Sequence, residues 1–478
     1  MRTIPQNIRA LTLALSVAFL LTSIGVGYWT LVESQELSAD PYNPRILQAA
    51  RDRLRGPILD SKGRLLAASE RGPDGFLRRY TDRSLAHVTG YASFKYGTSG
   101  AEGAYADSLI GRDPADPLAQ WRARYLRQRN AADGVVLGID AAVQQAASAA
   151  LGGRRGAIVA LDPRTGAILA SVSTPGYDPA AISDPRTEDA AWKQATTNAE
   201  RPLINRATQG LYPPGSTFKI ITAAAALESG IDPNAKVRVD DPYRADPSWG
   251  SYAVRSSTGA HGDFDMALAF ERSENIYFAK IGLQVGPQKL VEYASRFGIG
   301  TAPKLDLSAA RGQLSSTGAI DRPTLLADTA FGQGELLVSP LQMALVAATI
   351  ARGGIMPTPH YAVAVKDTAG NLVRPIEPGA VGRVIRPETA RTIAQMLVRA
   401  VQAPGAFAFG ARIPNVNVAG KTGTAENPSG APHGWFVGFA PAEAPTVAIA
   451  VVIENTPKGG EDAAPLGGAV MKAALGRE

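Results

Sequence analysis

No cysteine occurs among the 478 residues, so the chain builds no disulfide framework, carries no thiol nucleophile and offers no thiolate to zinc or an iron–sulfur cluster. Histidine is nearly as scarce. The four, at positions 87, 261, 360 and 433, are scattered, which argues against a His-rich metal centre and points a nucleophile toward a base other than histidine. An excess of one charge is also missing: 49 Lys and Arg against 43 Asp and Glu leave +6, mild for this length and no mark of nucleic acid. There are no internal repeats and no low-complexity tracts. What is present is 45% hydrophobic residues in a chain too long for one ordinary domain of about 150 residues, so two or three domains with a substantial core are expected and wholesale disorder is excluded.

One long apolar run exists. Residues 10–32, ALTLALSVAFLLTSIGVGYWTLV, contain no charge and exceed the ~20 apolar residues that span a bilayer as a helix. Arg2 and Arg9 precede it; Glu33, Glu36 and Asp40 follow. The bias of positive charge predicts a short cytoplasmic tail (1–9), a single-pass anchor and the remaining chain outside the cytoplasm, with Tyr28 and Trp29 at the outer interface. A cleaved signal peptide has a shorter apolar region and a small-x-small cleavage site, neither of which is evident; a buried core helix is the other alternative. With no bridges to staple an exported domain, stability must come from core packing.

Beyond the anchor, residues 33–150 read as a small, mainly β, non-catalytic domain. Arg55-Gly-Pro-Ile-Leu-Asp60 and Leu65-Leu66, separated by Ser61-Lys62-Gly63, predict a hairpin, and the Gly-rich stretch 97–113 predicts loop. Trp121–Arg129 packs four Arg with two aromatics, a run suited to an anionic surface or, more simply, to a solvated helix face. From residue 151 the character changes. Gly156–Asp162 and Ala167–Val172, joined by Pro163-Arg-Thr-Gly166, predict a hairpin; helical periods follow at 217–229, 265–285, 287–297, 339–352 and 387–402; strands are predicted at 434–439 and 446–453, then a short helical tail. Residues 151–478 thus read as one large α+β domain whose sheet is completed by its own C-terminus.

Three short motifs carry chemistry. Pro213-Pro-Gly-Ser216-Thr-Phe218-Lys219 puts a serine at a helix start with a lysine one turn on, the only serine in the chain with lysine three positions later. A neutral lysine amine can accept the hydroxyl proton, and burial beside Phe218, the helix end and a second cation would each lower its pKa. Chance alone gives that spacing roughly once in a chain this long, and an N-cap serine with a surface lysine fits the same residues. Ser273-Glu274-Asn275 places a hydroxyl and a carboxamide near each other, and reads equally as the N-cap of the helix from Ile276. Lys421-Thr422-Gly423-Thr424 offers a cation and two hydroxyls to a carboxylate on a sheet edge where an extended peptide could add, or is a simple turn.

In this order, at 216, 273 and 421, the motifs resemble those of the penicillin-recognising serine acyltransferases, the group of penicillin-binding proteins and serine β-lactamases. Gly156–Pro179 is similar to the opening of their transpeptidase domain, Phe331–Gln342 to the segment before their third motif, and Arg55–Arg64 to the stretch beyond the anchor in class B penicillin-binding proteins. The resemblance weakens only over 70–135. It implies a five-stranded antiparallel sheet flanked by helices on a small pedestal domain. It implies Ser216 as nucleophile, Lys219 as base, Ser273 as proton shuttle, Asn275 as a contact to donor peptide and Lys219, and Lys421 as the cation of the site. Thr422, Gly423 and Thr424 would bind substrate, and the N–H groups of Ser216 and Thr424 would form the oxyanion hole. The implied reaction is D,D-transpeptidation of peptidoglycan stem peptides in cell division or elongation, with β-lactams as donor mimics. No metal and no cofactor are implied, and the implied membrane partner is a multi-spanning glycan polymerase. A bifunctional class A enzyme would need a glycosyltransferase domain, for which 33–150 is short. A D,D-carboxypeptidase or β-lactam hydrolase, and a scaffold for the polymerase, are the alternatives.

Overall fold

The computed structural model describes residues 4–31, 54–72, 75–111, 132–427 and 430–477. The predicted Trp121–Arg129 run and the acidic residues 33, 36 and 40 lie outside them.

The apolar run forms a helix, Ile4–Leu31, the one helix among the described residues long and apolar enough to cross a membrane. None of that span is buried against the rest of the protein. Its exposed Leu, Val, Ile and Phe side chains are unlike anything a water-facing helix presents.

The sheet expected of the large domain is present, with strands in the order Ala419–Asn427, Gly430–Ala440, Val447–Ile453, Gly156–Leu161, Ile168–Thr174, every neighbour antiparallel. The middle strand, VAIAVVI, is buried throughout, as an unbroken apolar run between two layers requires. Helices Ala141–Leu151 and Gly460–Ala474 cover one face, and Pro340–Ala351, in a capping box of Ser339 and Gln342, covers the other. Ala419–Asn427 is an edge strand, so the third motif lies within a strand and not in a turn.

Two expectations are corrected. The helical period over 265–285 is two helices, Met266–Glu271 and Asn275–Val285, because Ser273 takes φ 55° and Glu274 starts the second as its N-cap. The Gly-rich stretch 97–113 is not loop alone: it holds helices Gly100–Ala104 and Ala106–Leu109, tied down where buried Glu102 receives Arg55 and Arg78.

The predicted hairpin forms between Ile58–Leu59 and Leu65–Gly72. It belongs to a six-stranded sheet in the order Leu372–Pro375, Ala362–Lys366, Gly134–Leu137, Ile58–Leu59, Leu65–Gly72, Gly75–Tyr80. Two of these strands come from the far side of residue 151.

Candidate active site

The nucleophile turn is built by close backbone packing. Gly215–Phe218 is a 3₁₀ turn and Lys219–Glu228 the α-helix that continues it. In a 3₁₀ turn residues three apart are eclipsed, which stacks Lys219 over Ser216 more directly than an α-helix would. The turn is held from two sides and braced within: Trp435 Nε1 donates to Pro213 O at 2.9 Å, Gly215 N to Gly332 O at 2.9 Å, and Thr217 Oγ1 of the turn itself to Pro214 O at 2.8 Å. Gly332, at φ 95°, has no room for a side chain, since a Cβ would meet Gly215 O at 1.8 Å. Gly423 is closed in a similar way, its missing side chain making space for Pro214 O and Thr217. Its smallness therefore admits the nucleophile turn, a different use from the expected approach of substrate. Just upstream, Tyr212 Oη and Arg206 Nε both donate to Glu454 at 2.8 Å.

Lys219 joins the motifs. Its Nζ lies 2.9 Å from Ser216 Oγ, 2.6 Å from Ser273 O, 2.7 Å from Asn275 Oδ1 and 3.4 Å from Ser273 Oγ. Lys421 Nζ donates to Ser273 Oγ at 2.8 Å and to its neighbour Thr422 O at 3.1 Å. Residues 216, 219, 273, 275 and 421, far apart in sequence, thus form one hydrogen-bonded cluster. The aromatic wall over the Lys219 amine is Phe278, 5.5 Å from its centroid, and not the expected Phe218.

Both lysines are buried. Burial first, and the Lys421 cation second, push Lys219 well below the ordinary lysine value, against the opposing pull of Glu274. Burial alone brings Lys421 down to about 7. A neutral amine has two N–H donors and one lone pair. Ser273 O and Asn275 Oδ1 can only accept, so they take the two protons and the lone pair is left for the Ser216 hydroxyl. That is the arrangement a general base requires.

The cluster opens on a cavity of about 660 Å³ lined by Ser216, Ser273, Asn275, Thr422, Thr424 and the segment 252–257, among others. Thr422 and Thr424 both reach its wall, while Lys421 and Gly423 lie behind it. Thr424 is exposed, and its Oγ1 accepts from Gly460 N at 3.2 Å. The Ser216 N–H lies in the first turn of its helix, where no intrahelical acceptor exists, and the Gly215 backbone abuts Thr424 O.

Several site residues escaped the sequence. Glu274, wholly buried, accepts from Ile276 N at 3.0 Å and from Ser256 Oγ at 2.6 Å. Tyr252 donates to Asp328, whose carboxyl is raised above its usual range by burial, with Glu426 adding to the rise. Nothing in the sequence pattern of residues 251–260 announces these contacts.

Residues 156–472 match the family model of the penicillin binding protein transpeptidase domain, and 55–135 that of the penicillin binding protein A dimerisation domain. The chain is 34% identical over 499 residues to peptidoglycan D,D-transpeptidase PbpA of Mycolicibacterium smegmatis, across 98% of this chain and 99% of that protein. To peptidoglycan D,D-transpeptidase MrdA of Haemophilus influenzae it is 32% identical, across 73% of this chain and 57% of the relative. The solved structure of penicillin-binding protein A from M. tuberculosis, as a ceftriaxone acyl-enzyme complex, superposes with a TM-score of 0.83 at 32% identity, covering 90% of this chain and 100% of that one. The domain match, the nearly full-length relatives and the superposition agree with the motif cluster around Lys219, and the chain belongs to the class B penicillin-binding proteins.

Proposed function

We propose that the chain is a serine peptidoglycan D,D-transpeptidase, a target of β-lactams, that cross-links stem peptides through an acyl-enzyme on Ser216. The single observation that carries the assignment of roles is the hydrogen bonding of Lys219, which leaves an amine lone pair facing a serine hydroxyl. Ser216 Oγ attacks the carbonyl of the D-Ala-D-Ala amide as its proton passes to Lys219. The oxyanion is met by the N–H groups of Ser216 and Thr424. Lys219 returns the proton, through Ser273, to the departing amine, and D-alanine leaves. An amino group of a second stem then attacks the ester, loses its proton by the same route, and the cross-link forms as Ser216 is regenerated. Thr422 and Thr424 hold the donor's terminal carboxylate, which the Lys421 cation attracts from behind them, and Asn275 binds the donor's backbone. A β-lactam enters as the donor does, but its ring-opened product stays on Ser216.

Work in division or elongation fits this chemistry. The N-terminal helix serves as a single-pass anchor in the bacterial inner membrane, with the tail cytoplasmic and the catalytic domain outside, where wall peptides are met. A multi-spanning glycan polymerase is the membrane partner in the same reading. The test is covalent labelling with fluorescent penicillin. Wild-type protein is expected to label and Ser216→Ala to stay unlabelled; a labelled Ser216→Ala protein refutes the assignment. With donor and acceptor stem peptides, cross-linked dimer is expected, whereas free D-alanine without dimer would make the enzyme a carboxypeptidase.

A further inference from the structure

The turn that carries Ser273, Glu274 and Asn275 is gripped by a second strip of chain, residue against residue. Ser257 Oγ donates to Ser273 O at 2.6 Å, Ser256 Oγ donates to Glu274 Oε2 at 2.6 Å, and Asn275 Nδ2 donates to Arg255 O at 3.2 Å. The strip is itself anchored. Tyr243 and Val254 exchange backbone hydrogen bonds at 2.9 and 3.0 Å, and Ser256 N donates to Asp241 Oδ1 at 3.2 Å. Resting on the reading of Lys219 as base for Ser216, we infer that Ser256 and Ser257 are positioning residues of acylation: Ser257 fixes the Ser273 carbonyl that orients the Lys219 amine, and Ser256, through Glu274, fixes the start of the helix that carries Asn275.

The hydrogen-bond inventory supports this. Ser256 Oγ accepts from Thr258 N at 3.2 Å and from Ala260 N at 2.9 Å, so both lone pairs are used and its one proton is aimed at Glu274. Glu274 spends its other oxygen on Ile276 N, which starts the helix bearing Asn275. Ser273 O is shared: Lys219 reaches it at 2.6 Å from the protein interior, and Ser257 at the same distance from the cavity side. Ser273 stands at φ 55°, a conformation that a serine does not favour and that surrounding bonds must maintain. Without Ser257 the Ser273–Glu274 peptide unit keeps the Lys219 bond and the bond from Glu274 N to Ala269 O at 2.9 Å, but loses its restraint on the cavity side. One of the two acceptors that direct the Lys219 lone pair is then less firmly placed, while every group that touches the scissile bond remains.

Acylation by a fluorescent penicillin is followed by stopped flow in the full chain in detergent, separating the dissociation constant of the first complex from the first-order acylation step. Ser257→Ala is expected to slow the acylation step by about tenfold or more, as misplacement of a catalytic group does, with the dissociation constant and melting temperature little changed. Ser257→Thr, which keeps the hydroxyl, is expected to recover most of the rate. An unchanged acylation step in Ser257→Ala, a loss confined to the dissociation constant, or a loss that threonine does not recover overturns the inference. Ser216→Ala measured alongside separates the two readings: its labelling would sink the nucleophile assignment itself, whatever Ser257 does.

Discussion

Replacing Lys421 by methionine removes the cation beside Lys219 and keeps a side chain of similar length. Lys219 and Lys421 both reach Ser273 Oγ, at 3.4 and 2.8 Å, so their nitrogens lie no more than about 6 Å apart. Two unit charges at ~6 Å and an effective dielectric constant of about 20 repel by about 3 kcal/mol, roughly a hundredfold in a protonation equilibrium. The repulsion lowers Lys219, so its loss must raise it. Acylation needs Lys219 neutral, and its rate falls as pH drops through the Lys219 value. In Lys421→Met that acid limb should therefore move to higher pH. Because Lys421 itself is brought down to about 7, the repulsion is full only below neutrality and the two profiles should diverge most there. The plateau should fall as well, since Ser273 Oγ loses its donor. Stability should not fall, because methionine fills a buried site that previously held a desolvated cation. The assay is the second-order acylation rate of a β-lactam between pH 5 and 9. A limb that stays put, or moves toward acid, refutes the claim that Lys421 holds Lys219 down.

Gly332→Val should slow acylation by about tenfold or more, because a side chain at that positive φ collides with Gly215 O and displaces the nucleophile turn; wild-type acylation rates would show that the contact does not set the turn. For Glu454, burial alone would raise the carboxyl, but Arg206 and Tyr212 outweigh it and hold it below its usual range. Such a group contributes stability above its unfolded value, which is lost as pH falls through the folded one. Glu454→Gln should thus cost about 2 kcal/mol in denaturant titrations at pH 7 and progressively less toward pH 4. A cost independent of pH would show that the charge of Glu454 is not what matters.

The local signals in the chain were legible where one stretch of sequence suffices. The run VAIAVVI announces a doubly covered strand, and Ser216 with Lys219 one turn later announces a base and a nucleophile that stack. The 265–285 period continued through Ser273 because periodicity registers apolar spacing and is blind to a single residue held at positive φ by distant partners. The short helices at 100–109 were hidden for a related reason: their glycines argue for loop, and the buried Glu102 ion pairs that order them come from Arg55 and Arg78. Phe278 rather than Phe218 faces the lysine because which ring turns inward depends on helix packing, not on adjacency in sequence. The grip of Arg255–Ser257 on the Ser273 turn involves hydroxyls that any surface loop also carries, so no composition distinguishes them.

The N-terminal sheet draws Ala362–Lys366 and Leu372–Pro375 from far downstream, and this has a consequence for how the chain is made. Synthesis runs from the N-terminus, and Gly134–Leu137 is an open edge until residues 362–366 arrive, more than two hundred residues later. The part of the molecule made first is therefore among the last to close. A swap of residues 55–137 between relatives would leave the incoming strand Gly134–Leu137 facing a foreign neighbour at 362–366. Any transplant meant to fold should carry residues 362–375 with it.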